Sequence, residues 1–299
     1  MLTDTDRISF QDKYRRDYML LSQQMTARLV PYCDPEPEAI DARYFWFDFI
    51  GKTAPREKQG FGGPTPNMNP QHSRIRGNVV PYEWGGSFDE AQLRTLVSNP
   101  QAKHKMAAMA GFKRKQDSII ITAALGTRVS YNADGTTTDN ALPAAQLIAH
   151  GSAGMTFDKV RGAKRLLDAA EVLENTPGGK YVMVYTAAQA WDLLAEAKAT
   201  SRDYVGPAEI LVAGEMTHWM GFDWVRSELL PVDGSSRRRC FAMATGGVGL
   251  FSELEPRVNI GRDPSSSFIE RLMLDQNMGA TRTEDVKVVE VPCVETAVT

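Results

Sequence analysis

The hydrophobic pattern of this chain is most distinctive between Tyr44 and Trp84. The run 44–49 alternates as a strand does, and it places three aromatic rings on one face: Phe45, Phe47 and Phe49. Segment 51–78 is polar, rich in glycine and proline, and has few apolar side chains. An apolar run at 79–84 then predicts the strand that brings the chain back. The pattern therefore predicts a long two-stranded arm with a flexible tip.

An arm of this kind needs something to cover its apolar face. An isolated two-stranded ribbon is only marginally stable in water. A loop as long as 51–78 inside a compact domain is either functional or disordered. If the loop is ordered, we expect its partner to be another subunit. This favours an assembling protein over a self-contained catalyst.

The tip of the arm is locally basic. Five basic residues face the single acid Glu57: Lys52, Arg56, Lys58, Arg74 and Arg76. The formal net charge of the 299-residue chain is −3, so there is no general basic surface for sequence-specific binding of nucleic acid. We therefore interpret the cluster as a solvated loop tip rather than a phosphate-binding site.

A second strong periodicity lies before the arm. Residues 8–30 carry an apolar stripe at helical spacing, from Phe10 to Leu29, and Pro31 is expected to end the helix. This stripe has to pack either on the rest of the fold or on a neighbouring molecule. The two alternatives fit the sequence equally well.

The remaining elements indicate an α+β fold with a central sheet. Capping signals at Ser87, Asn99 and Thr156 mark helix starts. Further helices are predicted over 87–97, 100–116, from 157 to the glycines at 178–179, and over 187–198. Strands are predicted over 181–185, 210–212, 222–225, 240–244, 257–260 and 286–291, with a hairpin over 128–138. The run 119–121 fits strand or helix, 266–274 is ambiguous, and 278–280 is predicted as a turn.

Neither the composition nor the short motifs of the chain indicate catalysis. The charged fraction is 24% and the hydrophobic fraction 42%, as in ordinary soluble proteins, and no apolar run approaches a membrane span. We expect no secretory signal, and the three separated cysteines predict reduced thiols. Gly51-Lys52-Thr53 lacks the spacing of a phosphate-binding loop, and the four histidines show no helical metal spacing. We expect no enzyme activity, cofactor or metal.

The order of these parts resembles the major capsid protein of tailed bacteriophages, with the HK-ninety-seven-like fold. Four short segments are similar to segments of that family: Tyr181-Val-Met-Val before a helix, Met220-Gly-Phe-Asp-Trp-Val225, the run 240–249, and Gly279-Ala-Thr-Arg282. The resemblance implies an N-terminal arm (1–43), an E-loop (44–86), a P-domain with a long spine helix (87–140), an A-domain (141–254) and closing P-domain strands (255–299).

The resemblance also implies a function. The chain would self-assemble into hexamers and pentamers of an icosahedral head that encloses double-stranded DNA without sequence specificity. Further partners would be scaffolding, portal and decoration proteins, and no membrane. Assembly would take place in the host cytoplasm, and the final location would be the virion. The residues expected to contact a neighbouring subunit are Phe45, Phe47, Phe49, Arg56, Lys58, Arg74, Arg76 and Trp84.

Two alternatives remain open at this level. One is the shell of an encapsulin nanocompartment, which has the same fold and encloses an enzyme. The other is an oligomeric α/β enzyme in which the long loop is a lid over the active site. The long polar arm favours the phage capsid over the encapsulin, and the absence of a titratable pair at the loop tip disfavours the enzyme.

Overall fold

The computed structural model describes residues 19–36, 43–58, 67–89, 101–132, 134–174, 176, 178–195, 216–253, 255–265 and 269–295. It divides into two compact units. The smaller unit contains residues 1–26, 83–114 and 255–276, and the larger contains residues 27–82, 115–254 and 277–299. Both mix strands with helix, so the α+β fold class is confirmed.

The larger unit is built around a five-stranded sheet of β7 (Tyr181–Tyr185), β8 (His218–Trp219), β9 (Phe222–Arg226), β10 (Arg237–Ala244) and β14 (Val288–Val294). The order of the strands in this sheet is β14-β10-β7-β9-β8. Strand β7 is a continuous apolar run whose five side chains are all buried, as expected for a central strand. It pairs in parallel with β9 and antiparallel with β10, which in turn pairs with β14.

Two helices accompany this sheet. Helix α2 (Phe157–Ala169) begins at Thr156, whose hydroxyl accepts the amide hydrogen of Lys159 at 3.4 Å. Its buried side chains include Val160, Ala163 and Leu167, at the spacing of one helix face. Helix α3 (Ala187–Ala195) follows β7 directly. Helix α1 (Gln101–Leu125) precedes both of them in the chain and is the longest helix among the described residues.

A four-stranded sheet in the larger unit forms the arm. Its order is β2-β3-β5-β6, all antiparallel. The strands are β2 (Tyr44–Ile50), β3 (His72–Asn78), β5 (Arg128–Tyr131) and β6 (Thr137–Asn140). The predicted hairpin is therefore confirmed, with Gly135 in the left-handed conformation at its turn. It widens the ribbon into a sheet, which removes the instability expected of two strands alone.

The remaining strands form a third sheet. In the larger unit, β1 (Asp34–Glu36) pairs in parallel with β11 (Val248–Ser252), which pairs with residues 278–282 of β13 (Ile269–Arg282). In the smaller unit, β12 (Arg257–Asp263) pairs with residues 269–275 of β13. Strand β4 (Val80–Phe88) also pairs with β13.

The structure corrects the strand that returns from the arm. We predicted it at 79–84, but β2 pairs with His72–Asn78, with Tyr44 opposite Asn78 and Ile50 opposite His72. The returning strand lacks an apolar pattern, because His72, Arg74, Arg76 and Asn78 alternate with Ser73, Ile75 and Gly77. The apolar run 79–84 belongs instead to β4.

The predicted N-terminal helix is wrong over its described part. Residues 19–29 form no helix, and residues 8–18 lie outside the described residues. The carboxylate of Asp117 accepts the amide hydrogens of Arg28 and Leu29 at 3.0–3.1 Å, and Leu29 is fully buried. These tertiary bonds hold the backbone in a non-helical form, which overrides the local periodicity.

Several smaller predictions are also resolved. Residues 119–121 continue helix α1, and residues 278–280 lie within β13, so the predicted turn there is wrong. The ambiguous run 266–274 is a strand from Ile269 onwards. Helix α2 ends at Ala169, before the glycines expected to end it. The helix predicted over 87–97 does not begin at 87, because β4 includes Ser87 and Phe88; residues 90–97 and 210–212 lie outside the described part.

Candidate assembly interface

The inner face of the arm sheet packs on the arm's own chain. Phe45 is only 6% exposed, and its ring stacks on Phe251 of β11 with centroids 4.8 Å apart. Phe47 meets Phe45 edge to face at 5.7 Å, a favourable arrangement for aromatic rings. Phe47 and Phe49 are half-buried. The face that the sequence pattern assigned to a neighbour is thus largely occupied within the chain.

Two glycines make this close packing feasible. A methyl group added at Gly77 would come within 2.0 Å of the Phe45 ring, and one at Gly249 within 2.3 Å of the Phe47 ring. The rings therefore lie directly against the backbones of β3 and β11. Gly77 lies in the strand that pairs with β2, and Gly249 lies in a strand of another sheet; a glycine inside a strand is the sequence signal of such a close approach.

The outer face of the same sheet is exposed. It places Trp46 beside Tyr131, with ring centroids 5.4 Å apart and planes at 78°. Trp46 is 42% exposed, Tyr131 39% and Ile50 69%. Because side chains directly opposite one another share a face, the register Trp46–Arg76 and Arg74–Tyr131 places these groups together.

Arg74 contacts both Asp48 and Trp46 on this outer face. Its guanidinium donates to both carboxylate oxygens of Asp48, at 2.5 and 2.8 Å, and lies 5.7 Å from the centre of the Trp46 ring. The hydrogen bond from Arg74 lowers the pKa of Asp48 and raises the pKa of Arg74. An exposed ion pair contributes little to stability, but the two-pronged geometry fixes the orientation of the guanidinium.

The other predicted contact residues are spread along the arm and β4. Arg76 is half-buried, and its guanidinium lies 4.8 Å from the centre of the Tyr44 ring. Arg56 and Lys58 are exposed in the irregular segment 51–58. Trp84 is half-buried in β4, in the smaller unit.

A buried arginine anchors the hairpin that widens the arm. Arg282 is fully buried and donates to the carbonyl oxygens of Ala124, Gly126 and Asn140 at 3.0, 2.6 and 3.2 Å. It also pairs with Asp285 at 2.8 Å. Asp285 pairs in turn with Arg128, the first residue of β5, at 2.9 Å. Arg282, at the end of β13, thus connects the end of α1 with both strands of the hairpin.

No group of three or more potential metal ligands comes together among the described residues. The ammonium group of Lys159 donates to the carbonyl oxygens of Ala153, Gly154 and Pro292 at 2.7, 2.8 and 3.0 Å, so its bonding capacity is used structurally. Burial lowers its pKa. None of the described helices combines the length and apolar character needed to cross a bilayer.

The three cysteines are buried and free. Burial raises the pKa of Cys33 and Cys240 well above the ordinary thiol value. Since the thiolate is the nucleophile and the metal ligand, both groups are held in an unreactive form. Their role is to fill the core beside β10 and β1.

Comparison with known proteins identifies the family. The family model described as phage capsid protein matches residues 7–295. A chain of Mycobacterium phage Che8 is similar in structure, with a TM-score of 0.71 and 16% identity over 95% of this chain and 97% of that one. No curated protein sequence matches the chain.

Two further solved structures have the same fold. The capsid of a native GTA particle aligns with a TM-score of 0.72 and 14% identity, over 97% of each chain. The capsid of cyanophage P-SCSP1u aligns with a TM-score of 0.72 and 13% identity, over 99% of this chain and 97% of that one. These likenesses establish the HK-ninety-seven-like fold, and the family match over nearly the whole length shows that the chain belongs to the phage capsid protein family.

Proposed function

We propose that copies of this chain form the hexamers and pentamers of a phage head that encloses double-stranded DNA. The observation that carries this proposal is the family match over residues 7–295, together with an arm sheet whose outer face exposes Trp46, Ile50 and Tyr131. In a closed shell each copy needs several different contact surfaces, because hexamers and pentamers present different neighbours.

The distribution of exposed apolar side chains fits several contact surfaces. Large exposed side chains occur in the N-terminal segment, the arm, helix α3 and strand β12: Met19, Leu21, Trp46, Ile50, Trp191 and Ile260. Extended apolar exposure on a folded protein marks interaction sites when it forms patches. Elements of both compact units carry such residues, as repeated contact around a ring requires.

The subdivision of the chain stays part of this proposal. By resemblance, residues 1–43 are the N-terminal arm, 44–86 the E-loop, 87–140 and 255–299 the P-domain, and 141–254 the A-domain. Arg56, Lys58, Arg74, Arg76, Phe49 and Trp84 are the contact residues that the proposal keeps most directly, since each has exposed surface. Phe45 and Phe47 act mainly by holding the arm against its own subunit.

The proposed partners follow from the shell. Scaffolding, portal and decoration proteins would contact the assembled lattice, and assembly would take place in the host cytoplasm. The net charge of −3 gives no general basic surface for sequence-specific binding, so the DNA would be confined by the shell and not bound specifically.

Electron microscopy of the purified chain tests the proposal. Expressed alone and with the scaffolding gene of its source, the chain should give shells, tubes, or rings of five and six copies in negative stain. Small uniform shells holding a co-purified enzyme would replace the phage head with a nanocompartment. A monomer or dimer that stays unassembled with scaffold present would refute the shell altogether.

A further inference from the structure

The arm sheet is joined to helix α1 by a short connection. The helix ends at Leu125 and strand β5 begins at Arg128, so only two residues link them. One of the two is Gly126, which has no side chain to restrict its backbone. The connection by itself therefore does not determine the direction in which the hairpin β5–β6 leaves the end of the helix.

A buried guanidinium spans this connection. Arg282 is fully buried and donates to carbonyl oxygens on both sides of it, at 3.0, 2.6 and 3.2 Å: those of Ala124 and Gly126 at the helix end and that of Asn140 at the end of β6. The last carbonyl groups of a helix have no partner within the helix, so Arg282 satisfies them and bonds the hairpin at the same time. Because a guanidinium is planar and its donors have fixed directions, these bonds define an angle as well as a distance.

A carboxylate completes the arrangement at the base of the hairpin. Asp285 accepts from Arg282 at 2.8 Å and pairs with Arg128, the first residue of β5, at 2.9 Å. Arg128 lies opposite Asn140 in the register of β5 and β6, so both hairpin strands are bonded at the same end. We call Arg282, Asp285 and Arg128 the arm joint.

The arm joint is continuous with the central sheet. Its residues 282 and 285 lie in the short segment between β13 and β14, and β14 is a strand of that sheet. The helix end is bonded to the sheet as well, because Arg239 of β10 donates to the carbonyl oxygen of Leu125 at 3.1 Å. The arm joint therefore connects the hairpin, the end of α1 and the central sheet through hydrogen bonds of defined direction.

The arm sheet has a second attachment, through its opposite edge. The order of its strands is β2-β3-β5-β6, and the arm joint bonds β5 and β6. Strand β2, at the other edge, packs through Phe45 on Phe251 of β11, with ring centroids 4.8 Å apart. A single contact leaves a sheet free to rotate about it, whereas contacts at two opposite edges fix its direction. The arm joint therefore supplies the second of the two contacts that the arm sheet needs.

The chemistry of the arm joint favours a role in geometry over a role in stability. Loss of hydration offsets much of the attraction between buried charges, and apolar side chains of similar volume often stabilise a fold equally well. This cost applies here, because the side chain of Arg282 is 0% exposed and that of Asp285 17%. In some proteins buried polar groups instead select one arrangement of packed elements over others.

We propose that Arg282 is a positioning residue that fixes the direction of the arm sheet relative to the central sheet of its own chain, and thereby the size of the shell. This inference rests on the proposed function and deepens it. In a shell of identical chains the same angle recurs in every copy, and the rotation between neighbours decides how many copies close the structure. An arm joint with one angle gives one size of shell, and a loosened arm joint gives a mixture.

Distances within one labelled chain test the arm joint directly. Spin labels attached to Ser73→Cys in β3 and Arg161→Cys in α2, both at exposed positions, report the direction of the arm sheet. The three native cysteines are buried, so the introduced thiols take the label. Dilution with unlabelled chain limits pulsed electron paramagnetic resonance to distances within one copy. The native chain should give one narrow distribution and Arg282→Lys a broader or displaced one, because an ammonium group keeps the charge without the fixed donor directions.

Two further variants separate position from stability. Arg128→Gln removes the ion pair with Asp285 and should also broaden the distribution; it decides the question if Arg282→Lys does not fold. Leu193→Ala removes a buried side chain from helix α3, so it should lower the unfolding temperature and leave the distribution narrow. An unchanged distribution in folded Arg282→Lys, or in Arg128→Gln where only that variant folds, would overturn the proposal. Equal broadening in Leu193→Ala would overturn it as well.

Electron microscopy of assembled variants tests the consequence for the shell. The native chain and Leu193→Ala should close shells of one size, whereas Arg282→Lys and Arg128→Gln should give several sizes or open sheets. If the native chain forms no shell, the proposed function fails, while the label distances still decide whether Arg282 fixes the arm sheet. If native shells form and the variants with a broadened distribution keep their single size, the arm joint does not set the size of the shell.

Discussion

Phe45 and Phe251 lie face to face, with ring centroids 4.8 Å apart and ring planes 7° from parallel. Phe45 comes from the first strand of the arm and Phe251 from β11, so the contact attaches the arm to its own subunit. The arm therefore enters assembly as an ordered sheet on a fixed base. The inner face of the arm sheet therefore contributes to the stability of the subunit, while Trp46, Ile50 and Tyr131 stay exposed on its outer face.

Removal of the stacked ring should weaken folding. Phe45→Ala is expected to lower the free energy of unfolding by about 3–5 kcal/mol, because it opens a cavity between β2 and β11. Chemical denaturation of the unassembled protein measures this loss. Phe49→Ala is the control, since Phe49 is half-buried and should cost clearly less. Equal losses of unfolding free energy in the two variants would show that Phe45 is no better buried than Phe49.

Gly249 should tolerate no side chain. A methyl group there would lie 2.3 Å from the Phe47 ring, so Gly249→Ala should destabilise the fold by about 1–3 kcal/mol through overpacking. Gly261→Ala is a matched control in β12, where the added methyl meets nothing within 4 Å. Thermal unfolding compares the two variants. A stable Gly249→Ala protein would mean that the arm shifts away from β11 at little cost.

The buried arginine at the base of the hairpin should be the most sensitive charged group. Arg282→Met leaves three carbonyl oxygens and part of the Asp285 carboxylate without a donor, and is expected to cost about 3–5 kcal/mol. Arg262→Ala removes an exposed arginine 3.9 Å from Glu270 and should cost less than about 1 kcal/mol. Denaturant titrations measure both. Similar costs would indicate that Arg282 is solvated.

The ion pair between Arg74 and Asp48 should be detectable in a pH titration of the Asp48 carboxyl group. The hydrogen bond from Arg74 lowers the pKa of Asp48, so Arg74→Gln should raise that pKa towards its usual value. A carboxylate with a lowered pKa contributes stability above its unfolded-state pKa and loses it as the pH falls through the folded-state pKa. Carboxyl carbon shifts measured by NMR between pH 2 and pH 6 follow the change. Identical titration curves would mean that the pair does not persist in solution.

Part of this architecture is readable in the sequence, because local rules decide it. Strand β7, the Thr156 cap and the Asp134-Gly135 turn follow from burial, capping and turn chemistry. The identity of the returning arm strand does not follow, since its outward positions are filled by Arg74 and Arg76. Arg74 is paired with Asp48, and Arg76 lies over the ring of Tyr44, both on the neighbouring strand β2. A pattern of hydrophobic positions does not reveal such contacts.

The assignment of faces was beyond the sequence for a related reason. Alternation shows that Phe45, Phe47 and Phe49 share one face, but it does not say which chain covers that face. Only the fold brings Phe251 and Gly249 beneath them. The substitution Phe47→Asp would therefore place a carboxylate against the chain's own β11. A loss of assembly in that variant would reflect misfolding. Outer-face variants avoid this ambiguity.

The basic tip should act through salt-dependent attraction. Arg56 and Lys58 are exposed, and attraction between such groups and acids on a neighbour is screened over about 8–10 Å at physiological salt. Arg56→Gln combined with Lys58→Gln should therefore slow assembly at low salt and flatten its salt dependence, as followed by light scattering. Arg161→Gln on helix α2 removes an exposed arginine that pairs with Asp158 and is the control. If the control slows assembly as strongly, net charge rather than the tip controls the rate. If neither variant changes the salt dependence, the tip contacts no charged neighbour.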